Sequence, residues 1–249
     1  WYFKCLLSVL ENINLGLNSS IFVLTGAGIS AESGIQTFRA STGLWNQHKI
    51  EDVASPEGFY RSPSLVYKFY NQRRKELLSG IKPNKGHLSL VDLEKYFKIY
   101  IITQNIDNLH ERAGSTSVIH MHGELLQVRC TKNEEHIFNW HNDLDEKNKC
   151  EICKSPMRPN ITWFGEIPMH MDKIYKLAEE ADLFISIGTS GSVYPAAGFV
   201  SLFNEMSKPT IELNLEPSAN IHQFTYSIHN KPATIAVEEL KNILIKNNT

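Results

Sequence analysis

The apolar run Ile21, Phe22, Val23 and Leu24 passes directly into Thr25-Gly26-Ala27-Gly28-Ile29-Ser30-Ala31-Glu32-Ser33-Gly34-Ile35-Gln36-Thr37-Phe38-Arg39. This reads as a strand entering a turn built from glycines and small hydroxyl residues. Glycine lets the backbone approach an anion closely, and the amides at a following helix N-terminus offer unpaired donors and a positive dipole end. A dinucleotide pyrophosphate fits such a turn. The spacing Gly26-x-Gly28 followed by Gly34 departs from G-x-G-x-x-G, and the segment ends in Thr-Phe-Arg where a dehydrogenase would continue its helix. An unusual use of the dinucleotide is expected.

Further apolar, β-rich runs follow at residues 99–103, 183–187 and 210–215, separated by stretches long enough for helices. Such alternation predicts an α/β fold in which a parallel sheet carries helices on both faces. Helices are predicted over residues 63–78, 85–96, 107–112, 171–181, 195–206 and 237–246. In open α/β sheets the ligand crevice lies outside the carboxyl ends of the strands. The turns at residues 26–39, 104–107, 188–190 and 214–216 should therefore meet in one cleft.

Two segments break the alternation. Residues 42–80 look helical without a strand, and residues 125–160 are short, polar and cysteine-bearing. They are read as insertions that build a smaller lobe on a single domain spanning 1–249. Its larger lobe would comprise residues 1–41, 81–124 and 161–249. A formal net charge of −2 gives no electrostatic case for nucleic acid or an anionic membrane as main partner. The apolar patch 1–10 is broken by Lys4 and lacks a basic leader, so a signal peptide is not expected, and a cytoplasmic location is. The missing initiator methionine suggests a truncated or processed start. Of four cysteines, Cys130, Cys150 and Cys153 cluster, which favours metal binding in a reduced compartment over disulfides.

The loop Thr103-Gln104-Asn105-Ile106-Asp107-Asn108 offers amide and carboxylate groups together at a strand end. Alone, Asp107 would be a helix cap and Asn105 a turn residue; beside the glycine turn, both can bond a carboxamide. In Val118-Ile119-His120-Met121-His122-Gly123-Glu124, two histidines two apart on an extended segment point to one face. The pair could be a metal site, and a lone histidine on an apolar strand is more often a satisfied core group than a catalyst. His122 stands just before Gly123, where the strand should end at the cleft.

These motifs, with Trp163-Phe164-Gly165-Glu166, Gly188-Thr189-Ser190 and Asn214-Leu215-Glu216, occur in one order over residues 21–235. As a set they resemble the sirtuins, the NAD-dependent protein lysine deacylases, and most of all the bacterial CobB-type enzymes of the class containing the mitochondrial desuccinylase. The resemblance implies a Rossmann-like sheet plus a smaller lobe of helical and zinc-ribbon-like insertions. It also implies NAD consumed as co-substrate, with nicotinamide, free lysine and 2′-O-acyl-ADP-ribose as products. His122 matches the family's general base, for which an imidazole of pKa about 6.5 is suited, and Asn105 is the other catalytic candidate. Cofactor contacts are carried over to Gly26, Ala27, Gly28, Ser30, Glu32, Thr37, Phe38, Arg39, Trp45, Gln104, Asn105, Ile106 and Asp107. For the adenosine half they fall on Gly188, Thr189, Ser190, Asn214, Leu215, Glu216 and Ala233. An acyl-lysine protein segment is expected to add as a strand beside Phe164, Gly165, Glu166, Val193 and Tyr194. A monomer is expected.

Tyr70 and Arg73 lie three apart, hence on one helix face. Alone they belong to a helix with a solvated basic face, since Arg74 and Lys75 follow. Within the resemblance, Tyr70-x-x-Arg73 matches the pair that recognises an acyl carboxylate, and Ala54 the small residue that widens the pocket. Succinyl and malonyl groups are then accepted besides acetyl. The family's zinc pattern of two Cys-x-x-Cys pairs is incomplete: Cys150-x-x-Cys153 is intact, but Asn133 stands where a partner of Cys130 is expected. His136, His141, Glu134, Glu135 or water are open as the fourth ligand, and the alternative is a metal-free loop. Rival readings are an NAD or ADP-ribose sensor, a mono-ADP-ribosyltransferase and, least, a dehydrogenase.

Overall fold

The computed structural model describes residues 13, 15–36 and 49–246. Thr37, Phe38, Arg39 and Trp45 lie outside them, as does Cys5.

Six parallel strands form the main sheet: β1 (Ser20–Thr25), β2 (Lys98–Thr103), β3 (Val118–His120), β7 (Leu183–Ile187), β8 (Thr210–Leu213) and β9 (Tyr226–Ile228). Their order is β3-β2-β1-β7-β8-β9, so the chain leaves β1 in one direction and returns at β7 on its other side. β1 is thus the switch strand, whose carboxyl end is where a doubly wound sheet opens a crevice. Its residues alternate between two cores, as the two-residue period of a strand requires. Ile21 and Val23 join Leu90, Leu93, Val237 and Leu240 on one face, and Phe22 and Leu24 join Ile174, Phe199 and Phe203 on the other. Phe22 packs its ring 5.3–5.8 Å from those of Phe184, Phe199 and Phe203, and truncating it to alanine should cost about 3–5 kcal/mol.

The covering helices on the first face are Lys85–Leu93 and Ala233–Lys246, and on the second Met171–Glu180 and Phe199–Glu205. Asn84 caps the first of these by accepting from the Gly86 amide, and its own amide donates to the Ile29 carbonyl at 2.7 Å and Ser33 Oγ at 2.9 Å. One cap therefore also fastens the glycine turn. The short strand β9 was not expected from the sequence, because Tyr226-Ser227-Ile228 carries too few residues to show a period.

A second, antiparallel sheet of order β5-β4-β6 is made by β4 (Gly123–Cys130), β5 (Ile137–Asn139) and β6 (Met157–Ile161). It shares a separate core with the helices Ile50–Val53, Pro56–Arg61 and Pro63–Leu78. Arg74 overturns the solvated basic face expected of the last helix. It is 1% exposed and donates to the carbonyls of Leu125 and Asn142 and to Asn71 Oδ1. Its guanidinium satisfies strand and loop carbonyls where helix and sheet meet, a role its neighbour Lys75, paired with Asp143 at the surface, does not share. Among the described residues no helix is long and apolar enough to cross a membrane.

Candidate active site

Because β1 and β7 pair in register up to Thr25 and Ile187, the turns that follow them collide unless both lack side chains. The Gly26 amide donates to the Ile187 carbonyl and the Gly28 amide to the Gly188 carbonyl, each at 2.9 Å. A Cβ on Gly28 would stand 2.6 Å from Gly188 Cα, one on Gly26 2.7 Å from the Gly188 oxygen, and Gly188 itself has φ of 63°. These glycines are needed first for turn to meet turn; any approach to an anion is built on that. The helix after the turn is a single turn, Ala27–Ser30, running into a 3-10 turn, Ala31–Ser33.

The loop after β2 is laid across this turn. Asn105 donates from Nδ2 to the Gly26 carbonyl at 3.0 Å and to Ser30 Oγ at 3.3 Å, and Ser30 Oγ donates to Asp107 Oδ2 at 3.0 Å. Asp107 Oδ1 accepts the Leu109 amide, which starts the helix Leu109–Ala113. The capping role that Asp107 has in isolation and its place beside Asn105 are therefore both present. Burial pushes the Asp107 carboxyl above the usual carboxylate range, against the Leu109 amide and the Ser30 hydroxyl. Gln104 extends the strand, its amide on the Thr25 carbonyl at 2.9 Å, and Ile106 accepts the Leu125 amide.

His122 lies at the junction of the two sheets, between the end of β3 and Gly123 at the start of β4. Gly123 has φ of 80°, and a Cβ there would strike the Asn160 oxygen at 2.0 Å. The chain can turn from one sheet into the other only with glycine at this position. His122 Nδ1 is 3.1 Å from the Gln104 carbonyl. A carbonyl only accepts, so Nδ1 carries the proton and neutral His122 keeps its lone pair on Nε2. No hydrogen bond engages Nε2 among the described residues. Burial lowers the pKa of His122, with the Gln104 carbonyl opposing, so the neutral base prevails at working pH.

On the far side of β1, Asn214 donates to the Thr189 carbonyl at 2.7 Å, Thr189 Oγ1 meets Ser186 Oγ at 3.0 Å, and Ser190 meets Ser192. Leu215 and Glu216 are exposed just beyond β8, and Ala233 opens the last helix. Glu32 serves a structural end, since its carboxylate accepts the amide and hydroxyl of Thr234 at 3.0 and 2.7 Å. Carboxylate at a helix N-terminus is stabilising, and no sequence signal links positions so far apart.

Across the junction, Ala54 and Tyr70 are buried, 5% and 4% exposed. Tyr70 OH accepts Trp163 Nε1 at 3.0 Å, which leaves the hydroxyl proton to donate. Burial pushes the Tyr70 pKa up to about 12, so that proton stays on. Arg73 stacks on Phe69 at 3.3 Å and donates to its carbonyl at 2.8 Å. Burial brings Arg73 down to about 10, still cationic at neutral pH. Trp163 is the core aromatic its type suggests, 2% exposed, whereas Phe164 is 53% and Tyr194 72% exposed. Gly165 is exposed and Val193 half-buried beside them. Glu166 is held inward: it takes Arg158 at 2.6 Å and Arg129 at 3.3 Å and the Trp163 amide at 2.8 Å.

Cys130, His136, Cys150 and Cys153 gather so that their ligand atoms all lie within 4.8 Å of one another. Cys130 and Cys153 sulfurs are 3.4 Å apart, and Cys150 Sγ is 3.5 Å from His136 Nδ1. A tetrahedral zinc with bonds of about 2.0–2.3 Å places ligand atoms about 3.3–3.8 Å apart, so the set fits. Of the candidates open in the sequence, His136 is the one the fold brings to the three thiols. Glu134 instead lies 3.7 Å from Arg129.

The Sir2 family profile matches residues 26–195. Over 229 residues the chain is 54% identical to an NAD-dependent protein deacylase of Yersinia pseudotuberculosis, covering 90% of this chain and 82% of that one. An NAD-dependent protein deacylase of Escherichia coli K12 is 52% identical over 231 residues, covering 91% and 82%. Among solved structures, a Sir2 homologue in complex with NAD matches with a TM-score of 0.86 and 35% identity over 98% of this chain and 95% of that one. A Sir2–p53 peptide–NAD complex matches with a TM-score of 0.75 and 29% identity over 98% and 97%. With the switch-point glycines, the Asn105–Asp107 loop and His122 at one strand end, these matches establish that the chain belongs to the Sir2 family.

Proposed function

We propose that this chain is an NAD-dependent protein lysine deacylase that removes succinyl, malonyl and acetyl groups, giving free lysine, nicotinamide and 2′-O-acyl-ADP-ribose. The names of its relatives support the reaction class. The observation that carries the reading is His122, whose tautomer is set by the Gln104 carbonyl so that an unprotonated Nε2 is left to take a proton. In the proposed reaction it accepts that proton from a ribose hydroxyl of the co-substrate. Asn105 and Asp107 would face the nicotinamide, Gly26, Gly28 and Ser30 the pyrophosphate, and Thr189, Asn214 and Ala233 the adenosine.

The wider acyl range rests on Tyr70 and Arg73. A neutral hydroxyl donor and a cation on one helix face suit a carboxylate at the end of an acyl chain, and Ala54 leaves room. Exposed Phe164, Gly165 and Tyr194 offer an edge to which an extended peptide can add as a strand. Cys130, His136, Cys150 and Cys153 would hold a structural zinc, which when bound ties β4 to the loop before β6.

The test is incubation with NAD and matched succinyl- and acetyl-lysine peptides, following peptide mass and nicotinamide, with His122→Ala alongside. Loss of succinyl that needs NAD and His122 is expected. ADP-ribose left on the peptide, or NAD bound without turnover, would overturn the reading.

A further inference from the structure

The proposed chemistry uses one of two histidines at the carboxyl end of β3. The other, His120, is the last residue of that strand and is 7% exposed. Both of its ring nitrogens face oxygen: Nδ1 is 3.0 Å from the Asn105 carbonyl, and Nε2 is 2.7 Å from Glu111 Oε1. A carbonyl and an ionised carboxylate can only accept, so an imidazole that bonds both must carry two protons. The Glu111 side chain is 41% exposed, and water there keeps it ionised.

We propose that His120 is an imidazolium, held charged by Glu111, and that through the Asn105 carbonyl it sets the position of the loop presenting Asn105 and Asp107 to NAD. His120 is then a positioning residue for the cofactor. The cofactor named here rests on the deacylase reading; the charge state does not.

The surroundings agree. The titratable groups facing His120 are Glu111 and His110 from the helix Leu109–Ala113, Glu124 from β4 and Asp107 from the intervening loop. Burial works against the charge on His120, but the Glu111 hydrogen bond and charge, then Glu124, outweigh it and raise its pKa. The two other histidines of this region stay neutral. Burial takes His87 down to about 4, and burial first, with His87 and His120 close by, takes His110 well below the usual range. His110 Nε2 instead meets Thr25 Oγ1 at 3.0 Å, and Thr25 donates to Thr103 Oγ1, which accepts the Asn105 amide at 3.1 Å. Asn105 is thus gripped at its amide, its side chain and its carbonyl. Only the carbonyl grip carries a charge, and charge-assisted hydrogen bonds are roughly twice as strong as neutral ones.

The test joins a spectrum to kinetics, using the full chain with Glu111→Gln and His120→Asn. Asparagine keeps a donor for the Asn105 carbonyl without the charge, and Glu111 is exposed enough that its replacement should fold. Side-chain 15N spectra of the wild type should show His120 protonated at both nitrogens at neutral pH, and Glu111→Gln should lose that state at lower pH. Both variants should raise KM for NAD about tenfold, the scale of one charged hydrogen bond, with kcat at saturating NAD and KM for peptide little changed. The imidazolium is lost as pH rises through its raised pKa, so the alkaline limb of kcat/KM for NAD should move to lower pH in Glu111→Gln. A singly protonated His120 in the spectrum, or variants with wild-type KM for NAD and wild-type pH profile, would overturn the proposal. If the wild type removes no acyl group, the deacylase reading falls instead, and direct titration with NAD then supplies the same comparison.

Discussion

Gly28 and Gly188 meet backbone to backbone, each standing where a Cβ on the other would lie 2.6 Å from its Cα. Neither atom belongs to a side chain that could swing away, so the turns themselves would have to part. Gly188→Ala adds the strain of a positive φ. We expect Gly28→Ala and Gly188→Ala each to cost about 1–3 kcal/mol or more, while Gly34→Ala, with φ of 97° but nothing within 4 Å, costs about 1–2 kcal/mol from backbone strain alone. Thermal unfolding of the three variants checks the order, and an equal loss at Gly34 and Gly188 would show that close approach is not the reason for glycine.

His122→Ala should lower kcat by about 10²- to 10⁴-fold, the usual worth of a positioned base, without loss of NAD binding. Since burial lowers the pKa of His122, its neutral form should persist below the ordinary histidine range. Activity should therefore fall with acid only at a pH below about 6.5. An acidic limb centred above that value would assign the base elsewhere.

Arg73→Met should reduce kcat/KM for succinyl-lysine by about ten- to a hundredfold, the worth of a charged hydrogen-bonded contact, and spare acetyl-lysine. Tyr70→Phe is a poorer probe, because it also strips Trp163 Nε1 of its acceptor. Equal loss on both peptides would remove Arg73 from acyl selection.

Glu166 ties Arg158, which stacks on Trp163 at 3.3 Å, to the chain just beyond β6. Although burial raises its pKa, the Arg158 and Trp163 hydrogen bonds prevail and hold it below the usual 4.5. A depressed carboxylate stabilises the fold above its unfolded value and loses that contribution as pH falls through the folded one. Glu166→Ala should cost about 3–5 kcal/mol at neutral pH by stranding Arg158, with a smaller difference from wild type in strong acid. Denaturant melts at two pH values test this, and a penalty that does not shrink in acid counts against the ion pair.

The purified chain should carry one equivalent of zinc, and His136→Ala should bind it more weakly while His141→Ala, outside the cluster, should not. Metal released to a chromogenic chelator measures both. Identical release from the two variants would exclude His136 as a ligand.

Much of this was legible in the chain because strands of a parallel sheet, buried on both faces, appear as plain apolar runs, so β1, β2, β7 and β8 stood out with the turns that end them. The helix Pro63–Leu78 began and ended where proline and periodicity placed it. What escaped was set by partners distant in sequence. The burial of Arg74 depends on the carbonyls of Leu125 and Asn142, and nothing near Glu32 in the sequence foretells its bonds to Thr234. Nor could spacing choose His136 over His141, since the β4–β5 register decides it: the Cys130 amide donates to the His136 carbonyl, while Trp140, next to His141, pairs with Leu126.

The bond from Glu32 to Thr234 joins positions 202 residues apart, which has a consequence during synthesis. The glycine turn leaves the ribosome some 202 residues ahead of the helix start to which Glu32 is bonded. A nascent chain halted before residue 233 would hold every strand of the sheet, with the turn fastened by Asn84 and Asn105 but its Glu32 end untied. The last fastening of that turn therefore forms only after all six strands of the sheet have been made.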